Sequence, residues 1–167
     1  MPPMDQQCFI SNKNVHVNYM SVSGYDGNVL DEQRYMKVWK DLVKKYPKFR
    51  YKVVSRFGDL YYEEMPFDTA FERACSFVTE PSKLIKDQNE IDHYMRDNIN
   101  KKLPLDGPQW RMRAQRMTDA DGVEYTISIW KCHHSFMDGV SCMSLTAASS
   151  SDYSRDYFVK SKDATLL

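Results

Sequence analysis

The chain carries no net formal charge: lysine plus arginine total 23 and aspartate plus glutamate also total 23. That balance removes bulk electrostatics as a basis for binding nucleic acid. Long apolar runs are missing as well, and no stretch approaches the roughly 20 residues of a bilayer-spanning helix. The opening Met1-Pro2-Pro3-Met4-Asp5-Gln6 has neither a basic n-region nor an apolar h-region, so it does not read as a secretory signal. Cys8, Cys75, Cys132 and Cys142 form no Cys-x-x-Cys pair, and no Asn-x-Ser/Thr acceptor occurs. These absences favour free thiols in an intracellular, reducing compartment: the cytosol, a cytosol-facing membrane surface or an organelle matrix.

What is present looks globular, with 42% hydrophobic and 28% charged residues in 167. Aromatic residues reach 13%, which suits an aromatic-heavy core and equally an apolar cleft. No internal repeat or linker divides the chain. Residues 1–167 therefore read as a single lobe, with an irregular tail over about 146–167.

Alternation over Val15–Gly24 predicts a half-buried strand, followed by a turn at Tyr25-Asp26-Gly27-Asn28. Asp31 is the expected N-cap of an amphipathic helix. Its apolar positions are Tyr35, Val38, Trp39, Leu42, Val43 and Tyr46, with Val38, Trp39 and Leu42 buried together, and Pro47 stops it. Phe49–Arg56 and Leu60–Glu64 read as a hairpin about Gly58-Asp59. Phe67–Glu80 reads as mostly extended. A second helix, capped by Asn89, carries Ile91, Tyr94, Met95, Ile99 and Lys102 on one stripe. The stiff loop Leu103–Pro108 ends it, and strands at Trp110–Met117 and Val123–Lys131 follow, joined at Asp119-Ala120-Asp121-Gly122. This order predicts an α/β fold of the α+β-like two-layer sandwich type: a mixed, largely antiparallel sheet with the helices on one face.

The chemistry-bearing stretch is Lys131-Cys132-His133-His134-Ser135-Phe136-Met137-Asp138-Gly139-Val140-Ser141. A buried strand that ends in an imidazole and then turns is a common mount for a base. Asp-Gly occurs four times in the chain and carries little information alone, whereas the His-His pair occurs once. The bare pattern serves a turn with two surface histidines as well as it serves a catalytic centre. Cys132 and His134 share a strand face near Asp138, but no second ligand pair accompanies them, so no metal site is expected. A Cys132–His134 nucleophilic dyad is disfavoured, because residues two apart on an extended strand sit too far apart for a direct hydrogen bond.

Over its whole length the chain resembles the N-terminal half of a wax ester synthase/diacylglycerol acyltransferase. That family belongs to the CoA-dependent acyltransferase superfamily, with chloramphenicol acetyltransferase and peptide-synthetase condensation domains. Five pieces follow the family's order: Met4-Asp5-Gln6, His16-Val17, Pro47-Lys48-Phe49-Arg50, Pro104-Leu105-Asp106-Gly107-Pro108-Gln109-Trp110, and His133 through Ser141 as His-His-x-x-x-Asp-Gly-x-Ser. The fourth departs from the pattern by a shorter spacer and by Gln109 before Trp110.

The resemblance implies one lobe of the chloramphenicol acetyltransferase-like fold. It implies acyl transfer from acyl-CoA to a long-chain alcohol or diacylglycerol, with no bound cofactor and CoA as a substrate carrier. His134 would be the general base and His133 its structural neighbour. Asp138 would hold the loop's shape, as the family's aspartate does by pairing with an arginine. Gly139 would let the backbone pass close to the site, beside N–H groups that stabilise an oxyanion. Lipid substrates imply work at a membrane or lipid-droplet surface. Full members of the family use two such halves. The expectation is therefore a second lobe or partner subunit docking along the His134 edge, apolar surface exposed by Phe136 and Met137, and no turnover by this half alone. The alternative is a non-catalytic half-domain derived from such an enzyme, serving as a structural subunit of a larger assembly.

Overall fold

In the computed structural model, residues 1–10, 17–25 and 32–148 are described. In chain order they form α1 (Pro3–Ile10), β1 (Asn18–Tyr25), α2 (Glu32–Lys45), β2 (Tyr51–Arg56), β3 (Asp59–Glu64), α3 (Phe67–Ala74), β4 (Cys75–Val78), α4 (Gln88–Ile99), β5 (Trp110–Thr118), β6 (Glu124–His133) and α5 (Gly139–Ala148). The chain divides into two units, Met1–Phe136 and Met137–Leu167. Of the sequence expectations, His16, the Asp26–Asn28 turn, the Asp31 cap and the tail beyond 148 lie outside the described residues. Among the described residues no helix is long and apolar enough to cross a membrane.

The main sheet runs β1-β6-β5-β4, antiparallel except where β4 lies parallel to β5. It is the mixed, largely antiparallel α/β sheet expected. The helices, however, do not share one face. Trp110 and Trp130 stack on Trp39 of α2, with ring centroids 5.7 and 5.2 Å away. Ile129, the strand neighbour of Trp130, packs instead with Ile127, Met117 and Ile91 of α4. Successive strand residues point to opposite faces, so α2 and α4 cover opposite sides. This corrects the one-faced two-layer expectation. Strand β6 is accordingly buried continuously from Thr126 to His133, as a strand covered on both faces must be.

Helix α2 buries Tyr35, Trp39 and Val43, while Val38 is 54% exposed. The apolar stripe is wider than the contact, and the sheet takes its i, i+4, i+8 edge. The Phe67–Glu80 segment is not mainly extended: α3 forms first, burying Ala70, Phe71 and Ala74 at helical spacing, and only Cys75–Val78 is strand. Helix α4 is capped by Asp87, not Asn89. Asp87 Oδ1 accepts the Glu90 N–H at 2.9 Å, and Glu90 Oε2 accepts the Lys86 N–H at 2.8 Å. The β2–β3 turn is Phe57-Gly58, with φ of 54° and 89°, the doubly left-handed geometry of a two-residue hairpin loop.

Pro47–Arg50 forms a 3-10 turn that locks α2 to the sheet. Arg50 Nη1 donates to the Val43 and Lys44 carbonyls at 2.6 and 3.0 Å, and Trp110 Nε1 donates to the Phe49 carbonyl at 2.8 Å. The C-terminal carbonyls of α4 are served from the sheet. Asn18 Nδ2 donates to the Ile99 carbonyl at 2.7 Å, and Lys131 Nζ donates to the carbonyls of Asn98 and, at 2.6 Å, Lys101.

Two stability predictions follow from this packing. Replacing Trp39 by Ala should cost about 3–5 kcal/mol in urea unfolding, and Val38→Ala about 0.5 kcal/mol or less. The second concerns Lys131, whose amine is pushed down to about 8 from 10.5 by burial first, then by Lys101 and Arg111. Between those values the folded state binds fewer protons at this site than the unfolded state. The site's contribution is therefore fully present above 10.5 and is lost as pH falls through about 8. Relative to a Lys131→Met protein, the parent should gain stability from pH 8 to 10.5. Parallel urea titrations showing a constant difference would contradict this.

Candidate active site

Strand β6 outruns its partner β5 by one residue: Trp110 begins β5 opposite Cys132, and Asn18 of β1 lies opposite His133. The two histidines are then held from opposite sides. His133 N–H donates to the Gln109 carbonyl at 2.9 Å, and His134 N–H donates to the Val17 carbonyl at 2.8 Å. Gln109 is itself fixed, because its buried Nε2 donates to the Pro104 and Gly107 carbonyls, each at 2.9 Å. The glutamine that departs from the family pattern thus satisfies two loop carbonyls beside the motif.

The ring of His133 is buried, 6% exposed, and stacks on Phe9 of α1 at 4.1 Å. Its Nδ1 lies 2.8 Å from Ser135 Oγ and 3.3 Å from the Ser135 backbone nitrogen. A backbone N–H can only donate, so Nδ1 is the acceptor and the proton of a neutral ring sits on Nε2. His134 is exposed. The pair is thus divided into one imidazole built into the protein and one presented to solvent.

The loop is braced from a third side. Tyr62 of β3 places its hydroxyl 2.8 Å from the Ser135 carbonyl and 3.0 Å from Asp5 Oδ2. Burial, reinforced by the Asp5 carboxylate, pushes the Tyr62 phenol well above its usual range, so it remains a donor across neutral pH. Lys48 Nζ lies 3.7 Å from the same Asp5 oxygen. The Met4-Asp5-Gln6 arm is therefore a helical brace, joined to the loop through Tyr62 and through the Phe9–His133 stack.

Phe136 does not form exposed apolar surface. It is 4% exposed, edge-on to Phe49 at 5.1 Å and beside Trp110 and Trp130. The Phe136 N–H donates to the His133 carbonyl at 2.9 Å, and this tight turn carries the ring back into the core. Cys132 is fully buried, whereas His134 is exposed, so the two do not present a common surface.

In the second unit, Asp138 Oδ1 accepts the Ser141 N–H at 2.7 Å, and its carbonyl accepts the Cys142 N–H at 2.9 Å. Asp138 is thus the N-cap of α5. Gly139, the first residue of α5, does not have a positive φ, and a Cβ there would meet no described atom within 4 Å. Sequence reading missed Ser135, Tyr62 and Phe9. Ser135 was findable as a small polar residue two positions after His133. Tyr62 and Phe9 reach the site only through tertiary structure.

No family model and no curated protein matches the sequence. Among solved structures, the wax ester synthase/diacylglycerol acyltransferase from Marinobacter aquaeolei VT8 superposes with a TM-score of 0.60 at 15% identity, over 89% of this chain and 37% of that one. The starter condensation domain of rhizomide synthetase gives 0.58 at 15% identity, over 84% and 32%. A four-domain nonribosomal peptide synthetase gives 0.53 at 12% identity, over 79% and 9%. The chain spans about a third of the length of the first two. At such identities the likeness establishes the fold, and that fold is of the acyltransferase and condensation-domain type to which the sequence resemblance pointed.

The split between the histidines sets a stability prediction. His133→Ala should cost about 1–3 kcal/mol, since it strips a buried hydrogen-bonded ring from Ser135 and Phe9. His134→Ala should stay within about 0.5 kcal/mol of the parent. Equal losses in urea unfolding would contradict the division.

Proposed function

We propose that this lobe carries the base of an acyl-CoA-dependent O-acyltransferase, with His134 as that base and a long-chain alcohol or diacylglycerol as acceptor. The carrying observation is the asymmetry of the pair: His133 is buried, with Nδ1 bonded to Ser135 and its ring on Phe9, and His134 beside it is exposed on a backbone pinned at both residues. A base must reach its substrate, and its mount must not drift.

In this reading the neutral His134 imidazole takes the acceptor's hydroxyl proton as the oxygen attacks the thioester carbonyl. The tetrahedral intermediate collapses by breaking the carbon–sulfur bond. The imidazolium returns its proton to the departing CoA thiolate, leaving the ester and free CoA. His133, Ser135 and Tyr62 serve as positioning residues, and Asp138 starts the helix that follows. CoA enters as substrate, without a prosthetic group or metal. A second lobe or partner subunit would close the His134 edge against water, and a membrane or lipid-droplet surface would deliver the acceptor.

The test is acyl transfer from a long-chain acyl-CoA to hexadecanol or diacylglycerol, assayed with the complementing lobe or partner present. His134→Ala should reduce turnover by at least about a hundredfold, the usual contribution of a general base. Unchanged turnover in that variant would overturn the assignment and favour the alternative, a half-domain serving as a structural subunit.

A further inference from the structure

The α4 face of the sheet holds a cavity of about 370 Å³ whose lining includes neither His133, His134 nor Ser135. Six cationic side chains line it: Arg73, Lys101, Lys102, Arg111, Arg113 and Lys131. The lining supplies one carboxylate, Glu72, while Asp106 nearby is engaged by Arg73 at 3.1 Å. In a chain of zero net charge this is a local excess of positive charge, partly withdrawn from water. Burial first, then Lys101 and Arg111, depresses the Lys131 amine, and burial first, then Arg73, depresses Arg111. An excess of one sign that is partly withdrawn from water is destabilising unless a counter-charge relieves it.

The lining also carries recognition chemistry. Arg113 lies over the Tyr94 ring at 5.4 Å, and its Nε is buried without a hydrogen-bond partner among the described residues. Lys102 has no acceptor among them either. Met20 and Ile129 give the cavity an apolar side. Four of the six also donate to the protein itself, Lys131 to the Lys101 carbonyl, Arg111 to that of Pro108, Arg113 to Gln115 Oε1 and Arg73 to Asp106, and each keeps further N–H donors. Guanidinium and ammonium groups lining one space match an anion with more than one negative charge, and a phosphate group places about two such charges on one centre. The volume lies within the range of small-molecule pockets.

We propose that this cavity binds a small phosphate-bearing molecule, held by Arg73, Lys101, Lys102, Arg111, Arg113 and Lys131. The proposal does not rest on the acyl-transfer reading. Free inorganic phosphates and the nucleotide end of CoA share the required chemistry. They can be told apart by calorimetric titration of the protein with pyrophosphate, ADP and CoA at constant salt.

Saturable binding of one equivalent is expected for at least one of the three. Tightest binding by pyrophosphate would identify free phosphates as the source, and tightest binding by CoA the nucleotide end of a thioester carrier; either supports the site. Lys101→Glu combined with Lys102→Glu, both exposed at the rim, should weaken binding about tenfold or more. Arg73→Gln, on α3, should weaken it several-fold and serves if the double variant misfolds. Lys37→Glu, on the exposed side of α2, should leave binding unchanged. No saturable binding of any of the three, or undiminished binding in a folded cavity variant, would overturn the proposal whatever becomes of acyl transfer.

Discussion

Everything around the motif depends on the burial of Trp130. Its ring lies 5.0 Å from Trp110 and 5.2 Å from Trp39, with Phe49 and Phe136 at 6.4 and 6.3 Å. All three tryptophans of the chain are in this stack, and it joins β6, β5, α2, the 3-10 turn and the motif loop. Each such ring pair adds about 0.5–1.5 kcal/mol beyond the area it buries. Trp130 stands four residues before His134, so the packing that stabilises the lobe also fixes where β6 ends.

Strand β6 carries two different environments on its two faces. Trp130 faces the aromatic stack, while Ile129 and Lys131 line the α4 side. A lysine is tolerated there because its amine closes the carbonyl end of α4 and its stem covers apolar surface. The same amine adds to a cationic lining, so joining α4 to the sheet is also what concentrates charge in the cavity. An anion there would offset repulsion that the fold otherwise carries, much as a capping side chain offsets a helix end.

How far the sequence spoke for itself depended on the range of the interactions. Strand β6 was legible from its run Tyr125-Thr126-Ile127-Ser128-Ile129-Trp130, and β5 from the Asp-Gly turn that joins it to β6. The stop at Pro47 was legible because proline acts on its immediate neighbour. The mixed α/β fold was legible as well. An amphipathic stripe, however, says that a face is buried without saying against what. The opposite placement of α2 and α4 and the exposure of Val38 therefore appear only in the structure. Phe67–Glu80 reads as extended because two of the three positions that α3 buries, Ala70 and Ala74, are too small to mark a hydrophobic period. Phe136 misled because a phenylalanine after an active-site strand reads as surface until the return turn is seen. Phe9 and Tyr62, more than seventy positions from Ser135 and beyond local pattern, needed the fold to bring them in.

The precision of the candidate site follows from register. Strand side chains alternate with period two, so a slip of one residue in β6 would reverse every face. Trp130 would leave the aromatic stack, Lys131 would enter it, and His133 and His134 would exchange their surroundings. A slip would therefore bury an ammonium among indole rings and force an indole into the α4 layer that Ile127 and Ile129 fill, two costly changes for a core. The hydrogen bonds of His133 to Gln109 and of His134 to Val17 then work on a strand already committed to its register. The division between a buried and an exposed imidazole is thus decided chiefly by hydrophobic packing several residues upstream. The polar bonds around Ser135 refine the position of His133 within that decision, rather than make it.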